Sequence, residues 1–188
     1  MRKAWYEYLW IASLLYLILG FFNILFAWLG LICFLVPLAF SIFGKGKIYC
    51  NQYCGRGQLF QIVGGKYKLS RNQKPPKFLA SPWFRYGFLT FFMIMFIVML
   101  YTTYLVFQGK DLKEVVTLLW VFKMPWNFAS TFAVTPWVAQ FAFGFYSIML
   151  TSTILGFITM LLYRPRSWCA YCPMGSMTQM ICKIKEKA

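Results

Sequence analysis

Residues 5–43 form one apolar stretch broken only by isolated polar groups, and no ordinary bilayer can accept it as a single helix. At about 1.5 Å per residue it would stand close to 60 Å tall, against a hydrocarbon core of about 30 Å. The stretch must therefore fold back on itself. Gly20 and Asn23 offer the turn, because glycine accepts left-handed backbone and asparagine bonds its own chain locally. Spans are expected near 5–21 and 24–43, with Pro37 as a kink in the second. Two further apolar stretches, 86–107 and 138–163, are each long enough for one crossing. Met1, Arg2 and Lys3 ahead of the first stretch resemble the start of a signal peptide. No small-x-small cleavage site follows, so the segment is expected to be retained.

The charge pattern gives these spans a direction. The formal net charge is +15, with 19 basic and 4 acidic residues. Nine cations and no acid lie between Gly44 and Arg85: Lys45, Lys47, Arg56, Lys66, Lys68, Arg71, Lys74, Lys77 and Arg85. The carboxyl tail adds Arg164, Arg166, Lys183, Lys185 and Lys187. Four spans with both termini and the middle loop inside put every cluster in the cytoplasm, as the positive-inside rule requires. The same cations could attract anionic lipid or an acidic electron carrier. No nucleic-acid motif accompanies them. The opposite loop, 108–137, is nearly neutral and shows helical spacing at Leu112, Val115, Val116 and Leu119, with Asp111 as N-cap. Trp120, Trp126 and Trp137, beside Pro125 and Pro136, fit an interfacial aromatic belt.

Four of the six cysteines come as two close pairs, Cys50 with Cys54 and Cys169 with Cys172. A lone C-x-x-C is weak evidence, since it serves redox dithiols and half-sites for zinc equally well. Here the surroundings repeat. CGRGQLFQ from Cys54 and CPMGSMTQ from Cys172 share C-[GP]-x-G-x-[LM]-x-Q, aligning Cys54, Gly57, Leu59 and Gln61 with Cys172, Gly175, Met177 and Gln179. Each motif follows a hydrophobic hairpin by six or seven residues. The expected architecture is therefore an all-α membrane protein of four transmembrane helices, arranged as two parallel-repeat hairpins with short interfacial helices. Repeat one covers about 1–65, the basic loop 66–85 and repeat two about 86–188, within one membrane domain.

Such a duplication brings four thiols together at the cytoplasmic face, where they suit a 4Fe-4S or 2Fe-2S cluster or a tetrahedral zinc ion. Pro173 lacks a backbone donor and turns the chain away, while Gly55, Gly57 and Gly175 let bare amides approach sulfur. Arg56, Arg164 and Arg166 would moderate the negative charge of four thiolates. Short helices are expected at residues 58–63 and 176–185, aiming their N-termini at the cluster; the second is amphipathic, with lysines on its polar face. Cys33 reads as packing in mid-span and Cys182 as a spectator.

Histidine is absent, which removes bis-His haem and Rieske-type ligation; no haem is expected. The only carboxylates are Glu7, Asp111, Glu114 and Glu186, too few and too remote from the motifs for a proton pump or an acid–base enzyme.

At CGRGQLFQ and CAYCPMGSMTQ the sequence resembles the membrane ferredoxin-like family of the NapH and NosR type. The resemblance implies a 4Fe-4S-binding membrane domain in an electron-transfer subunit, with Cys50, Cys54, Cys169 and Cys172 as ligands and larger redox subunits as partners. Gly55 stands where that family often has proline, and the soluble double-cluster ferredoxin domain of many relatives is not found after the last span.

The expected function is an integral inner-membrane electron relay through one cluster. Its donor is a redox subunit, a soluble ferredoxin or a flavoprotein; its acceptor is a quinone, a flavin or a second cluster. The rival readings are a structural protein with a four-cysteine zinc knot and a four-helix, quinone-linked thiol–disulfide oxidoreductase. The second sits poorly with cysteines on the reducing side.

Overall fold

A computed structural model describes residues 8–43, 50, 53–112, 115–119, 122–125 and 135–187. Arg2, Lys3, Lys45, Lys47, Trp120 and Trp126, which entered the charge and aromatic-belt expectations, lie outside them.

The first apolar stretch does fold back, but unequally. Helix α1 (Leu9–Phe22) has 14 residues, a rise of about 21 Å that falls short of a hydrocarbon core of about 30 Å. Asn23 ends it in extended backbone and accepts a hydrogen bond from Leu25 N–H at 3.0 Å, which opens a 3-10 segment, Ile24–Leu29. Helix α2 (Gly30–Phe43) continues from that segment and runs through Pro37. Together they give one apolar helix of 20 residues, Ile24–Phe43. Asn23 thus makes the predicted turn, whereas Gly20 lies against the Tyr146 ring.

Helices α4 (Pro82–Phe107) and α5 (Pro136–Leu162) have 26 and 27 residues. Three helices among the described residues are therefore long and apolar enough to cross a bilayer, the make-up of a multi-pass membrane protein. The expected four spans in two equivalent hairpins are corrected by this finding: α1 is too short to match its counterpart.

The expected helix around Leu112–Leu119 is also corrected. Residues Val115–Leu118 (β1) and Phe122–Pro125 (β2) form an antiparallel ribbon, with Val116 opposite Met124. Adjacent β-branched Val115, Val116 and Thr117 favour this extended form, and Leu119 turns the chain with φ of 50°. Val116 is wholly buried with Ile24, Ala27, Ala142, Phe143 and Tyr146, and Thr117 N–H donates to Ser147 Oγ at 3.1 Å. The ribbon thereby closes one end of the bundle, where Trp137 meets Phe107 edge-on at 6.3 Å.

The other end gathers the cysteine motifs. Helices α3 (Gly55–Gln61) and α6 (Pro173–Lys187) lie across it. Ser41 of α2 donates to the Thr178 carbonyl at 3.1 Å, Arg85 of α4 donates to Gln179, and the amide of Arg71 reaches the Leu161 carbonyl at 3.1 Å. Lys185 also caps the end of α2 through the Ile42 carbonyl at 3.1 Å.

Candidate metal centre

Both motif helices begin immediately after the second cysteine of a pair, three residues earlier than the sequence pattern places them. Cys54 is the N-cap of α3, and its sulfur accepts from Gly57 N–H at 3.4 Å. Cys172 precedes α6, and its thiol is held by a backbone hydrogen bond from Gly175. The Gln58 amide closes on the Cys54 carbonyl at 3.0 Å and the Ser176 amide on the Cys172 carbonyl at 2.9 Å. Aligned residues thus make the same contacts. Each thiol meets the amide-rich, partly positive start of a helix, which favours negative charge there.

Cys50, Cys54, Cys169 and Cys172 line one cavity, brought together from segments more than a hundred residues apart. Gly55, Arg56, Gly57 and Gly175 line it too. Pro173 faces a neighbouring cleft instead. Arg166 stands outside the lining, yet its charge acts on Cys169. Cys33, read as packing, also opens on the cavity, as do Ser13, Pro37 and Trp168. Trp168 is the omission a sequence signal could have corrected, since it immediately precedes Cys169. Cys182 lies apart, 3.6 Å from Ser41 Oγ.

Cys169 is an exposed residue, but the protein packed around its thiol, reinforced by the neighbouring Cys54 and Cys172, pushes that thiol up to about 12, with Arg166 opposing. Burial likewise raises Cys172. Cys169 and Cys172 therefore hold their protons when unloaded, and a metal group must displace them on binding. Cys50 Sγ lies 3.7 Å from Thr178 Oγ1. Trp168 lines the cavity and packs against an aromatic group of Tyr171, Phe84 and Phe88, with ring centroids 4.9 Å apart for Trp168–Tyr171 and 5.1 Å for Phe88–Tyr171.

Among the described residues, Arg56 is the single cation in the lining. It extends from α3 into the bundle, where its guanidinium donates to Ser152 Oγ and to Met149 Sδ at 2.9 Å. Ser152 is ten residues from the end of α5, about 15 Å along the helix. Among the described residues, no carboxylate lines the cavity. A guanidinium so placed costs several kcal/mol unless an anion compensates it, and a thiolate-bound cluster is such an anion.

The space is consistent with a group of several atoms. The cavity measures about 70 Å³, several times the roughly 10–15 Å³ that one water needs. Among the described residues, no three cysteine or carboxylate groups approach closely enough to hold a single ion. A zinc ion at about 2.3 Å from each sulfur needs its sulfurs about 3.8 Å apart; a multi-iron cluster spreads its thiolates more widely. At Gly57 a Cβ would stand 3.6 Å from Cys54 Sγ and 3.7 Å from Cys169 Sγ, in the space between the two thiols. Four thiols around one cavity are a donor set that suits an iron–sulfur cluster or a zinc ion.

A family profile described as a 4Fe-4S binding domain matches residues 26–76 and 147–187. The chain carries a 4Fe-4S binding domain. Each matched segment of this domain contributes one cysteine pair, and the interval 77–146, which holds α4 and the β-ribbon, separates them. No curated protein and no solved structure matches the chain. The structure also accounts for Gly55, where the 4Fe-4S membrane family resembled by the sequence often has proline. A Cβ at this position would meet Ser13 Oγ and stand 2.6 Å from the Leu9 carbonyl oxygen. The close approach of α1 excludes a side chain there.

Proposed function

We propose that the chain is an integral membrane electron-transfer subunit with one 4Fe-4S cluster held by Cys50, Cys54, Cys169 and Cys172. The supporting observation is the convergence of both cysteine pairs on one cavity, each pair delivered by one matched segment of the 4Fe-4S binding domain. When bound, a 4Fe-4S cluster supplies reversible one-electron storage. The chain's own residues set the conditions for it. Gly57 and Gly175 amides donate to Cys54 and Cys172 sulfur, and Arg56 offsets thiolate charge from within the bundle. The amide donors and the cation both favour the more negatively charged state.

The NapH and NosR type is the specific family that this reading favours. Its two related halves form a single membrane domain, and other redox subunits act as donor and acceptor. The motif end faces the cytoplasm in this reading, because Lys66, Lys68, Arg71, Lys74, Lys77, Arg85, Arg164 and Arg166 belong to the segments at that end. Anaerobic purification of the native complex tests the proposal. About four iron and four sulfide per chain are expected, with a visible band bleached by dithionite and a matching paramagnetic signal. Zinc without iron or sulfide would establish the structural-knot alternative.

A further inference from the structure

A second cavity lies at the ribbon end of the bundle, between α4, α5 and the two strands. It measures about 300 Å³, several times the cysteine cavity, and shares no lining residue with it. The two-residue period of the strands explains its wall. Thr117 pairs with Lys123 and both line the cavity, whereas the preceding Val116 turns the opposite way into the core.

This wall runs deep. The Thr117 amide donates to Ser147 Oγ, and Ser147 stands eleven residues into α5, about 16 Å along that helix. The strands therefore descend to where the flanking spans run through hydrocarbon. Non-helical backbone is tolerated at that depth where protein covers it or where it lines a water-filled cavity, and a lysine there faces water or a partner of opposite charge. Val116 supplies the covered side. The cavity supplies the other, with Thr102, Gln140 and Ser147 adding polar groups from the helices.

The lining also selects a sign of charge. The Thr102 and Ser147 hydroxyls donate to the Met99 and Phe143 carbonyls at 2.9 and 2.7 Å, so they turn lone pairs to the cavity, which water satisfies. Among the described residues, Lys123 is the one charged group of the lining, and no carboxylate or cysteine offers a cation its ligands. We propose that this cavity is an aqueous vestibule that admits small hydrophilic anions to hydrocarbon depth and concentrates them beside Lys123. The vestibule stands on the depth of the ribbon and is independent of the electron-transfer reading.

Thiol accessibility in the native complex, held in lipid discs, tests it. Thr117→Cys puts a thiol on the strand opposite Lys123 and keeps the backbone bond to Ser147; Thr102→Cys reports from α4 without altering the ribbon. Ile97→Cys is the control at comparable depth, ten residues from the end of α4 and 63% exposed on the outside of the bundle. Two membrane-impermeant methanethiosulfonates, one bearing a sulfonate and the other a quaternary ammonium, each turn the introduced thiol into a mixed disulfide and release methanesulfinate. Peptide mass mapping gives the rates, each divided by that of the same reagent with a small free thiol. The sulfonate reagent should modify Thr117→Cys and Thr102→Cys about tenfold faster than the ammonium reagent, and Ile97→Cys should resist both. Adding Lys123→Gln should bring the two rates together. Resistance of both cavity thiols in folded complex, or an Ile97→Cys rate equal to theirs, overturns the vestibule. A preference for the ammonium reagent, or a sulfonate preference that survives Lys123→Gln, overturns the role of Lys123. Cavity thiols that react only after delipidation would identify a phospholipid as the occupant and also overturn the proposal.

Discussion

The two halves of the chain present the same motif on different supports. In the second half, Cys169 and Cys172 follow a 27-residue helix that packs along the 26-residue α4. In the first, Cys50 and Cys54 follow a 14-residue α2 extended by a 3-10 segment, beside a 14-residue α1. The amide-to-carbonyl and amide-to-sulfur bonds of the motifs nevertheless match pair for pair. Local geometry around the thiols is thus preserved while the supporting helices diverge. A metal centre constrains the loop that holds it within tenths of an ångström, whereas a span need only be apolar and long enough.

The hardest test of equivalence removes one thiol from each half. Cys54→Ser and Cys172→Ser should each abolish nearly all cluster iron and sulfide, measured after anaerobic purification, because the two halves share one centre. Retention of a full cluster in one variant and loss in the other would break the comparison, by showing that one half binds alone.

The halves should differ sharply at the residue after the second cysteine. Gly55 is pressed against Leu9 and Ser13, so Gly55→Ala should cost about 1–3 kcal/mol through overpacking. Pro173, the first residue of α6, occupies a position where proline suits the helix. Pro173→Gly should cost about 1 kcal/mol or less, mainly through the unfolded chain. Thermal unfolding of both variants in the same lipid discs measures the difference. Equal losses would mean that α1 does not restrict Gly55.

What could be read from the sequence divides along the same line. The motifs were legible because they are local: cysteine spacing, the following glycine and the aligned glutamine all sit within a dozen residues, and the pairs meet at one cavity. Cys33 and Pro37 were not legible as cavity residues. Their participation depends on how α2 is rotated against α3 and α6, which no short motif records. The first hairpin was misjudged because hydropathy reports apolar length but not where regular helix stops; Asn23 and the 3-10 segment divide a run that looks continuous. The ribbon at Val115–Leu118 was missed because Leu112, Val115, Val116 and Leu119 happen to satisfy helical spacing, while burial of Val116 against Tyr146 and Phe143 selects the strand.

Charge supplies the next contrast. The counterpart of Arg56 in the second motif is Met174, so the pseudo-symmetric cavity receives its guanidinium from one side. Arg56→Gln should lower the cluster's reduction potential by about 60 mV, equivalent to about 1.4 kcal/mol for one electron, since a nearby cation favours the reduced, more negative state. Arg56→Lys should recover part of the shift. Redox titration of the paramagnetic signal measures it. An unchanged potential in Arg56→Gln would sharpen the comparison differently: the guanidinium would then serve the bundle through Ser152 and Met149 and contribute nothing to the centre.

The smallest expected difference lies between the two motif glycines. A Cβ at Gly57 falls between Cys54 Sγ and Cys169 Sγ, at 3.6 and 3.7 Å, whereas one at Gly175 meets the Cys169 carbonyl oxygen at 3.7 Å and Cys172 Cβ at 3.9 Å. Both are ordinary contacts for the protein alone, so neither substitution should change stability by more than about 0.5 kcal/mol. The difference should emerge on loading, because Gly57→Ala occupies space between two proposed ligands and Gly175→Ala only borders it. Cluster content in Gly57→Ala should fall below that of Gly175→Ala at equal folded protein, read as iron per chain beside circular dichroism. If the two variants load equally, the centre lies nearer the middle of the four thiols than the Cys54–Cys169 edge, and the halves are more nearly equivalent than their supporting helices.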